Sequence, residues 1–590
     1  MNNQRNMILA VLLTGVLLFG WDAAIRHFYP NANKAKPVAA APVTSAPAAR
    51  ASAAAQPTRE GGLTSAADQA LEVAELKGDL NSPGRIRIEA PGLSGSINPM
   101  GAVIDDLLLN RHKATLDKTS EPVRLFSPAG TVAQQFAQIG WVPAPGLPTS
   151  TTLWTVPAGA KLTPATPVTL SWDNGAGLSF AIKLAIDGDY MITATQTVTN
   201  RSAAALAVQP FALINRTDKT ASLDSWNIHS GPFGAFDGKV TFNPNYEDVR
   251  EAGLKSNDGK TDWVGFTDIY WMSVLVPGAA DATSNFRSLG NNAYRADVFY
   301  KSVTVAPGQS VSNATRLFAG AKEAQVLDRY EQTGITNFSL SIDWGWFRWF
   351  EKPIFLLLRT LFHTTGNFGV AIILLTLLVR GIMFPVAQRQ FASMAAMRAI
   401  QPKMKVLQER YKDDRPKLQE ETMALYKREG VNPLAGCLPV LLQIPVFFAL
   451  YKVLMVAIDM RHQPFVFWIK DLSAPDPKHL LNLFGLLPFD PPALLGLGVL
   501  GVLLGITMWL QFKLQPAQPD PAQQQVMAIM PWMMMFIMSP FASGLLVYWI
   551  TSNILTIAQQ KYLYSKHPAL AAQADKDATD TKRAAARDKT

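Results

Sequence analysis

The chain has 590 residues, which exceeds a single ordinary domain. Its single cysteine, Cys437, excludes an internal disulfide. The net charge of +9 comes largely from two basic segments beside apolar runs, so it does not indicate nucleic-acid binding. The sequence has no Walker-type phosphate loop and no histidine, cysteine and carboxylate pattern with metal-ligand spacing. We therefore expect no cofactor and no bound metal.

The N-terminal 28 residues contain the apolar stretch Met7–Ile25 after a short polar segment with Arg5. A cleaved signal peptide is the alternative, but Trp21 and Asp22 stand where small residues should mark a cleavage site. We predict an uncleaved transmembrane signal anchor over 1–28. Residues 29–62 are rich in Ala, Pro and Ser without apolar periodicity, which predicts a disordered linker.

From about residue 80 to residue 330, apolar and polar residues alternate as is typical of strands, and we assign residues 63–335 to one domain. Phe180, Ile182, Leu184 and Ile186 alternate with smaller or polar neighbours, and the alternation resumes at Tyr190, Ile192 and Ala194 after the turn 187–189, which predicts a hairpin. Recurring strands of this kind predict a large antiparallel β-sandwich.

The tryptophans of this domain either line a carbohydrate site or pack in the core, and the simpler interpretation is packing. No pair of acidic residues indicates catalysis, so we do not expect an enzyme. The tryptophans concerned are Trp141, Trp154, Trp172, Trp226, Trp263 and Trp271.

Residues 341–362 mix aromatic and cationic side chains at helical spacing, for example Trp344, Trp349, Lys352 and Arg359. This mixture suits the interface between membrane and water, where aromatic rings lie among the headgroups. We predict an amphipathic helix that lies on the membrane.

Residues 363–560 contain several apolar runs, each near the ~20 residues that cross a bilayer. We predict spans at 366–386, 437–458 and 493–512, and two more within 526–558, folded back at Ser539 and Pro540. With the N-terminal anchor, these make six spans and a polytopic α-helical membrane protein with a five-helix core.

The distribution of basic residues predicts the orientation of these spans. The segment 387–430 carries ten Lys and Arg and the tail 559–590 carries seven, whereas 460–492 carries three. The positive-inside rule then predicts that both termini and the basic tail 561–590 are cytoplasmic. The β-domain would lie in the periplasm, and the protein in the bacterial inner membrane.

The basic segment 387–430 shows helical spacing, with one stretch before Pro402 and a second from Pro402 to Gly430. We predict a charged, antiparallel, cytoplasmic helical hairpin. It could dock a ribosome or a nascent chain, or its charge could serve topology alone.

Polar side chains inside the predicted spans indicate a shared polar interior. Thr376 and Arg380 are four residues apart and so share one helix face, and Gln443 and Ser552 lie in other spans. The alternative is that Arg380 only snorkels, since it lies about 9 Å from the predicted cytoplasmic end of its span.

Several motifs resemble the YidC family of membrane protein insertases over residues 345–565. They are the runs 376–385 (TLLVRGIMFP), 432–439 (NPLAGCLP), 443–445 (QIP) and 543–553 (SGLLVYWITSN). The resemblance implies the six-span Gram-negative form, with a periplasmic β-supersandwich after the first span.

The resemblance also implies a hydrophilic groove, open to the cytoplasm and to lipid, and an apolar slide by which the substrate enters lipid. The groove residues would be Arg380, Thr376, Gln443, Tyr548, Trp549 and Ser552, and the slide residues Ile444, Phe447, Met530 and Met534. Two positions depart from the family pattern. Trp549 stands where a second tyrosine is expected, and Lys452 adds a charge to a span, from which we expect it to snorkel outward.

The implied function is that of an insertase and chaperone for new inner-membrane proteins, working alone or with the general secretion translocon. Its partners would be nascent inner-membrane proteins, the translocon, the ribosome and the lipid bilayer, with no nucleic-acid binding except through a ribosome. Two other functions are a small-solute transporter, for which internal repeats would be expected, and a membrane-anchored carbohydrate-binding protein.

Overall fold

The computed structural model describes residues 60–566, apart from residue 118 and the segments 224–227, 279–281, 346–347, 389–399, 412–413, 431–437, 488–495 and 515–520. The predicted N-terminal anchor, nearly all of the predicted linker and the end of the basic tail lie outside the described residues.

The first part of the chain is a β-domain of two large sheets, preceded by helix α1 (Ala66–Asp79). The strands are β1 Ile86–Glu89, β2 Leu93–Asn98, β3 Val103–Lys113, β4 Pro122–Phe126, β5 Gln135–Trp141, β6 Lys161–Leu162, β7 Val168–Asp173, β8 Leu178–Ile186, β9 Met191–Asn200, β10 Leu206–Val208, β11 Pro210–Thr217, β12 Gly231–Phe236, β13 Lys239–Thr241, β14 Leu254–Ser256, β15 Thr261–Thr267, β16 Trp271–Pro277, β17 Thr283–Gly290, β18 Ala293–Phe299, β19 Val303–Val305 and β20 Ser310–Ala321.

The first sheet has the strand order β14-β17-β18-β11-β5-β3-β2-β1-β6, with β4 beside β3, and the second has the order β13-β12-β15-β16-β20-β9-β8-β7. Close approaches of β5 to β9, β11 to β16 and β3 to β20 hold the sheets together. The expected β-sandwich is confirmed.

The predicted hairpin is the pair β8 and β9. Ile186 pairs with Ile192 next to the turn, and Leu184 pairs with Ala194. The alternating apolar residues of both strands are buried in the core between the sheets. Local periodicity alone was enough to predict this hairpin, because a strand with one buried face shows its register in the sequence.

Helices form the rest of the described chain. They are α2 Tyr246–Ala252 and α3 Ala324–Gln332 in the β-domain, then α4 Arg348–Thr365, α5 Phe368–Ile382, α6 Gln401–Arg410, α7 Arg415–Glu429, α8 Leu438–Val456, α9 Val499–Leu514, α10 Pro521–Met538 and α11 Ser543–Lys566. Helix α11 packs against α9 and α5, α10 packs against α9, and α4 packs against α5 and α8. Among the helices that the structure describes, none combines the length and the apolar character that a membrane crossing requires.

Helices α6 and α7 form an antiparallel pair in the basic segment, with Lys403 Nζ 2.6 Å from Glu429 Oε1. The prediction of one continuous helix from Pro402 to Gly430 is wrong. Asp414 caps α7 by accepting a hydrogen bond from the Lys417 N–H, and Pro416 lies in the first turn. Proline is tolerated there but would break a helix that continued through it. The helix predicted before Pro402 falls mostly outside the described residues.

Helix α4 begins later than the predicted interfacial helix, at Arg348. Trp344 lies before it and is buried, with its ring 5.3 Å from that of Phe355. Trp349 is exposed. The aromatic residues of this segment therefore divide between the protein core and its surface.

Candidate functional site

Arg380 meets Ser552 where α5 packs against α11. The Nε and Nη2 atoms of Arg380 donate hydrogen bonds to Ser552 Oγ, at 3.2 and 2.5 Å. Ser552 is buried and Arg380 is half-buried. Within the described part of the chain, no carboxylate lies within ion-pair distance of Arg380. The guanidinium is therefore held by a neutral hydroxyl and keeps its full charge.

Other predicted groove residues surround this contact. Thr376 lies one turn before Arg380 and is buried, and its hydroxyl donates to the carbonyl oxygen of Ile372 at 2.6 Å. Tyr548 lies one turn before Ser552 on α11 and is buried, and Trp549 follows it, half-buried. The side chain of Gln443 lies outside the described residues.

The predicted slide residues lie on two helices. Phe447 on α8 packs edge-on against Trp549, with ring centroids 5.1 Å apart, so α8 adjoins the groove side of α11. Met534 on α10 packs against the hydrophobic core, and Met530 is half-buried on the same helix. The side chain of Ile444 lies outside the described residues.

A second polar contact lies deeper in the helical part. Asn553 is buried next to Ser552, and its Nδ2 donates to Thr507 Oγ1 on α9 at 3.2 Å. Consecutive residues of α11 thus bind α5 and α9 by hydrogen bonds. Buried polar groups in an apolar bundle require such partners, so these contacts fix how the three helices are rotated.

The opposite end of α5 contacts the segment that follows α8. Asn367 caps α5 by accepting from the Val370 N–H, and its Nδ2 donates to the carbonyl oxygen of Phe465 at 3.1 Å. Arg380 lies about 20 Å farther along the helix axis. The end of α5 that carries Arg380 and the end that contacts Phe465 are therefore well separated.

A polar joint that no sequence pattern predicts connects the β-domain to the helices. Lys452 on α8 is buried, and its Nζ lies 3.0 Å from Asp343 Oδ2 at the end of the β-domain. The expectation that Lys452 snorkels outward is wrong, because the joint supplies a carboxylate inside the protein. Nearby, the buried Lys322 donates to Thr267 Oγ1 at 3.2 Å.

Two groups of this joint have shifted pKa values. Burial raises the pKa of Glu351 to about 7, with Lys452 opposing and Asp343 adding to the rise. Burial lowers the pKa of Lys322 to about 8, and the nearby Asp343 and Asp268 limit that fall. Both shifts follow from the burial of these two side chains, because burial disfavours the charged form of each.

Arg461 forms a second link to the β-domain. Its Nη1 donates to the carbonyl oxygen of Lys113 at 2.7 Å, and its guanidinium lies 5.2 Å from the ring centre of Trp271. Its Nε and Nη2 bind the Glu60 carboxylate at 2.9 and 2.6 Å. Ligand atoms of Glu60, His462 and Asp471 lie within 4.8 Å of one another, but the arginine already neutralises Glu60.

The tryptophans suggested for a carbohydrate site mostly pack in the core. Trp154, Trp263 and Trp271 are buried, and Trp226 lies outside the described residues. Trp141 lines a cavity of about 250 Å³ together with Tyr300 and Lys301. Ligand pockets usually occupy ~300–1,000 Å³, so the volume of this cavity lies just below that range.

Comparison with known proteins matches both parts of the chain. Residues 360–570 match the family described as 60Kd inner membrane protein, and residues 85–357 match the YidC periplasmic domain. A protein from Zymomonas mobilis named membrane protein insertase YidC is 42% identical over 96% of each chain. A protein of the same name from Ruegeria is 46% identical over 80% of this chain and 82% of its own.

A solved structure described as an active YidC insertase, with the first transmembrane domain resolved, is also similar. It is 16% identical, covers 81% of this chain and 92% of its own, and gives a TM-score of 0.36.

Proposed function

Because this chain belongs to the YidC family of membrane protein insertases, we propose that the side chains around Arg380 form the groove through which it inserts nascent proteins. The family works in the inner membrane and carries a periplasmic domain. The groove consists of Arg380, Thr376, Gln443, Tyr548, Trp549 and Ser552.

The observation that carries this proposal is the contact of Arg380 with Ser552. An arginine in an apolar bundle is costly unless it is paired or hydrated. Here its described hydrogen bonds go to one hydroxyl, and it remains partly exposed. An uncompensated, accessible cation favours water and anionic groups beside the helices, and acidic flanks of a substrate are such groups.

We infer a polytopic arrangement in which the N-terminal anchor and the segments containing α5, α8, α9, α10 and α11 cross the membrane. Support comes from the match of residues 360–570 to an inner membrane protein family and from the basic residues of 387–430 and of the tail. The 15 residues of α5 extend about 22 Å, so a crossing would include flanking residues as well. Both termini would be cytoplasmic.

The proposed mechanism lowers the free-energy barrier for moving a polar flank of the substrate across the membrane. Transfer of Leu, Ile, Phe or Val into lipid is favourable by roughly 0.3–0.6 kcal/mol per residue, so the apolar part of a substrate inserts readily. The groove would hydrate the flanking residues for part of the way. For a charged flank, the membrane potential contributes about 2.3 kcal/mol per charge per 100 mV.

The substrate would leave the groove along Ile444, Phe447, Met530 and Met534. Phe447 already contacts Trp549 at the edge of the groove, and methionine side chains adapt to varied apolar partners. The pair α6 and α7 carries the basic charge that would meet a ribosome or a nascent chain. Cooperation with the secretion translocon is part of the same proposal, and no enzymatic reaction is required.

Site-specific crosslinking tests the groove. A photoreactive residue at position 380 or 548 should crosslink to a nascent single-span protein during insertion. Leu378 provides the matched control, because it is exposed on α5 about 200° around the helix from Arg380. Equal crosslinking at 378 and 380 would contradict the groove, and solute flux without contact to nascent chains would favour a transporter instead.

A further inference from the structure

The segment between α8 and α9 is firmly attached to the ends of three helices. We call residues 461–487 the strap. The carbonyl oxygen of Phe465 accepts from Asn367 at the start of α5. At the start of α11, the N–H groups of Ser543 and Gly544 donate to the carbonyl oxygens of Ala474 and Leu472, both at 2.8 Å.

Asp476 attaches the strap to α9 as well. Its buried carboxylate accepts hydrogen bonds from the Leu500 N–H at 2.8 Å and from Trp468 Nε1 at 2.9 Å. It also accepts from the Lys478 N–H at 3.0 Å. A carboxylate near a helix N-terminus is stabilised by the helix dipole. The conformation of the strap is therefore specified by its own polar contacts.

Large apolar side chains nevertheless point away from the protein along the strap. Phe467 is 91% exposed and Leu486 is 81% exposed, which would be unfavourable in water. Phe467, Leu483 and Phe484 have φ values of +54°, +48° and +61°. Bulky residues rarely adopt this left-handed region, so the chain holds these side chains outward at a conformational cost. Other exposed apolar residues of the strap are Val466, Leu480, Leu481 and Leu487.

The position of the strap indicates what covers these side chains. Arg461, at its start, contacts the β-domain, and the rest of the strap lies across the ends of α5, α9 and α11. In an inner membrane protein with a periplasmic domain, this places the strap at the outer surface of the membrane. The helices whose ends it contacts also expose apolar residues, such as Leu374 on α5 and Leu503 on α9. The apolar surface thus continues from the helices onto the strap.

We propose that the exposed apolar residues of the strap, Phe467 and Leu486 foremost, lie among lipid acyl chains in the membrane leaflet on the β-domain side. The exposed Lys470 would meet the lipid headgroups, as cationic residues do beside interfacial apolar segments. The proposal rests on family membership and not on the groove, so each can fail without the other.

Fluorescence quenching by lipids tests the proposal. In a Cys437→Ser background, a single cysteine at 467 or 486 is labelled with an environment-sensitive fluorophore. The full chain is reconstituted in vesicles of phosphatidylethanolamine and phosphatidylglycerol. Lipids brominated near the headgroup end of the acyl chain should remove roughly half of the emission at both positions, since contact with acyl chains brings bromine to the probe.

Two matched positions calibrate the result. Leu153 in the β-domain is 62% exposed and should show almost no quenching, whereas Ile529 on α10 is 63% exposed and should be quenched strongly. Emission at 467 and 486 that responds like that at 153 would overturn the proposal. Protection of both positions from aqueous iodide without quenching by brominated lipid would also overturn it, because a second copy or another protein would then cover the strap.

Discussion

Arg380 carries a permanent charge in a partly buried position, and its neighbours explain how the protein accommodates this charge. The guanidinium cannot lose its proton, so burial has to be balanced by hydrogen bonds or water. Ser552 supplies one oxygen, and no carboxylate of the described chain supplies a counter-charge. Among the described residues, the positive charge of Arg380 at the contact of α5 and α11 thus has a hydroxyl partner and no counter-charge.

Substitution of Arg380 tests whether this charge acts on substrates. Arg380→Ala should lower insertion of a protein with acidic flanks about tenfold, as the loss of a charge interaction of ~1–2 kcal/mol would do. Arg380→Lys should retain insertion of some substrates. Protease protection of the translocated flank in reconstituted vesicles measures both. Ser552→Ala is the control, because it removes the hydrogen-bond partner and leaves the charge. Unchanged insertion by Arg380→Ala would favour the alternative that Arg380 only snorkels to the membrane surface.

The raised pKa of Glu351 predicts that the stability of the folded protein depends on pH. Its pKa in the folded protein is about 7, above the ordinary 4.5, so the folded state binds the proton more tightly. Its stabilising contribution is fully present below pH 4.5 and is lost as the pH rises through 7. The rise in pKa corresponds to at most about 3.5 kcal/mol, because one pKa unit is worth about 1.4 kcal/mol.

Glu351→Gln should therefore be more stable than the native chain at pH 8 and nearly equal to it at pH 5. Thermal unfolding across this range measures the difference. A native pH profile that Glu351→Gln leaves unchanged would assign the dependence to other groups.

At the scale of elements, the strap and α5 approach each other so closely that only glycine fits. A Cβ atom at Gly369 would lie 1.9 Å from Cδ2 of Phe465. The ring of Phe465 therefore covers the first turn of α5, next to the hydrogen bond from Asn367. Phe465 therefore packs against the N-terminal end of α5, and Arg380 lies at the other end.

Gly369→Ala should displace Phe465 and destabilise the protein by about 1–3 kcal/mol, as overpacking usually does. Gly381→Ala is the matched control on the same helix, since no atom lies within 4 Å of its Cβ position. Thermal unfolding of both variants in detergent tests the contact. Equal stability of the two variants would show that Phe465 is free to move.

At the scale of the whole molecule, two cations hold the β-domain on the helical part. Lys452 contributes from α8 and Arg461 from the strap, and both are buried. They contact separate points of the β-domain. Lys452 binds Asp343 at the end of the domain, and Arg461 binds the carbonyl oxygens of Lys113 and Ala114 at the end of β3. Two separate contacts restrict rotation more than one would, so the orientation of the β-domain is defined.

Removal of one partner of the buried pair should be costly. Asp343→Ala leaves Lys452 without its counter-charge and should destabilise the chain by about 3 kcal/mol. Asp343→Leu combined with Lys452→Met removes both charges and should recover most of that loss. Thermal unfolding measures stability, and protease sensitivity of the segment 338–348 reports on the joint. An Asp343→Ala variant as stable as the native chain would show that water hydrates the Lys452 ammonium group in place of Asp343.

Part of the fold was predictable because its signals are local. The hairpin of β8 and β9 follows from alternating residues and a turn, and the break between α10 and α11 falls at the predicted Ser539 and Pro540. The division of α6 from α7 was missed, although Pro416 signals a helix start. Lys452 was misjudged because its partner, Asp343, is 109 residues away.

The sequence by itself determined the class of this protein: a β-sandwich followed by apolar helices, with the motifs of a membrane protein insertase. Periodicity, turns and motifs are properties of neighbouring residues, so they survive without a structure. Only the tertiary structure decided that Arg380 meets Ser552, 172 residues away, and that Lys452 meets Asp343. Such contacts depend on how helices and sheets pack, and packing is decided by shape and burial across the whole chain.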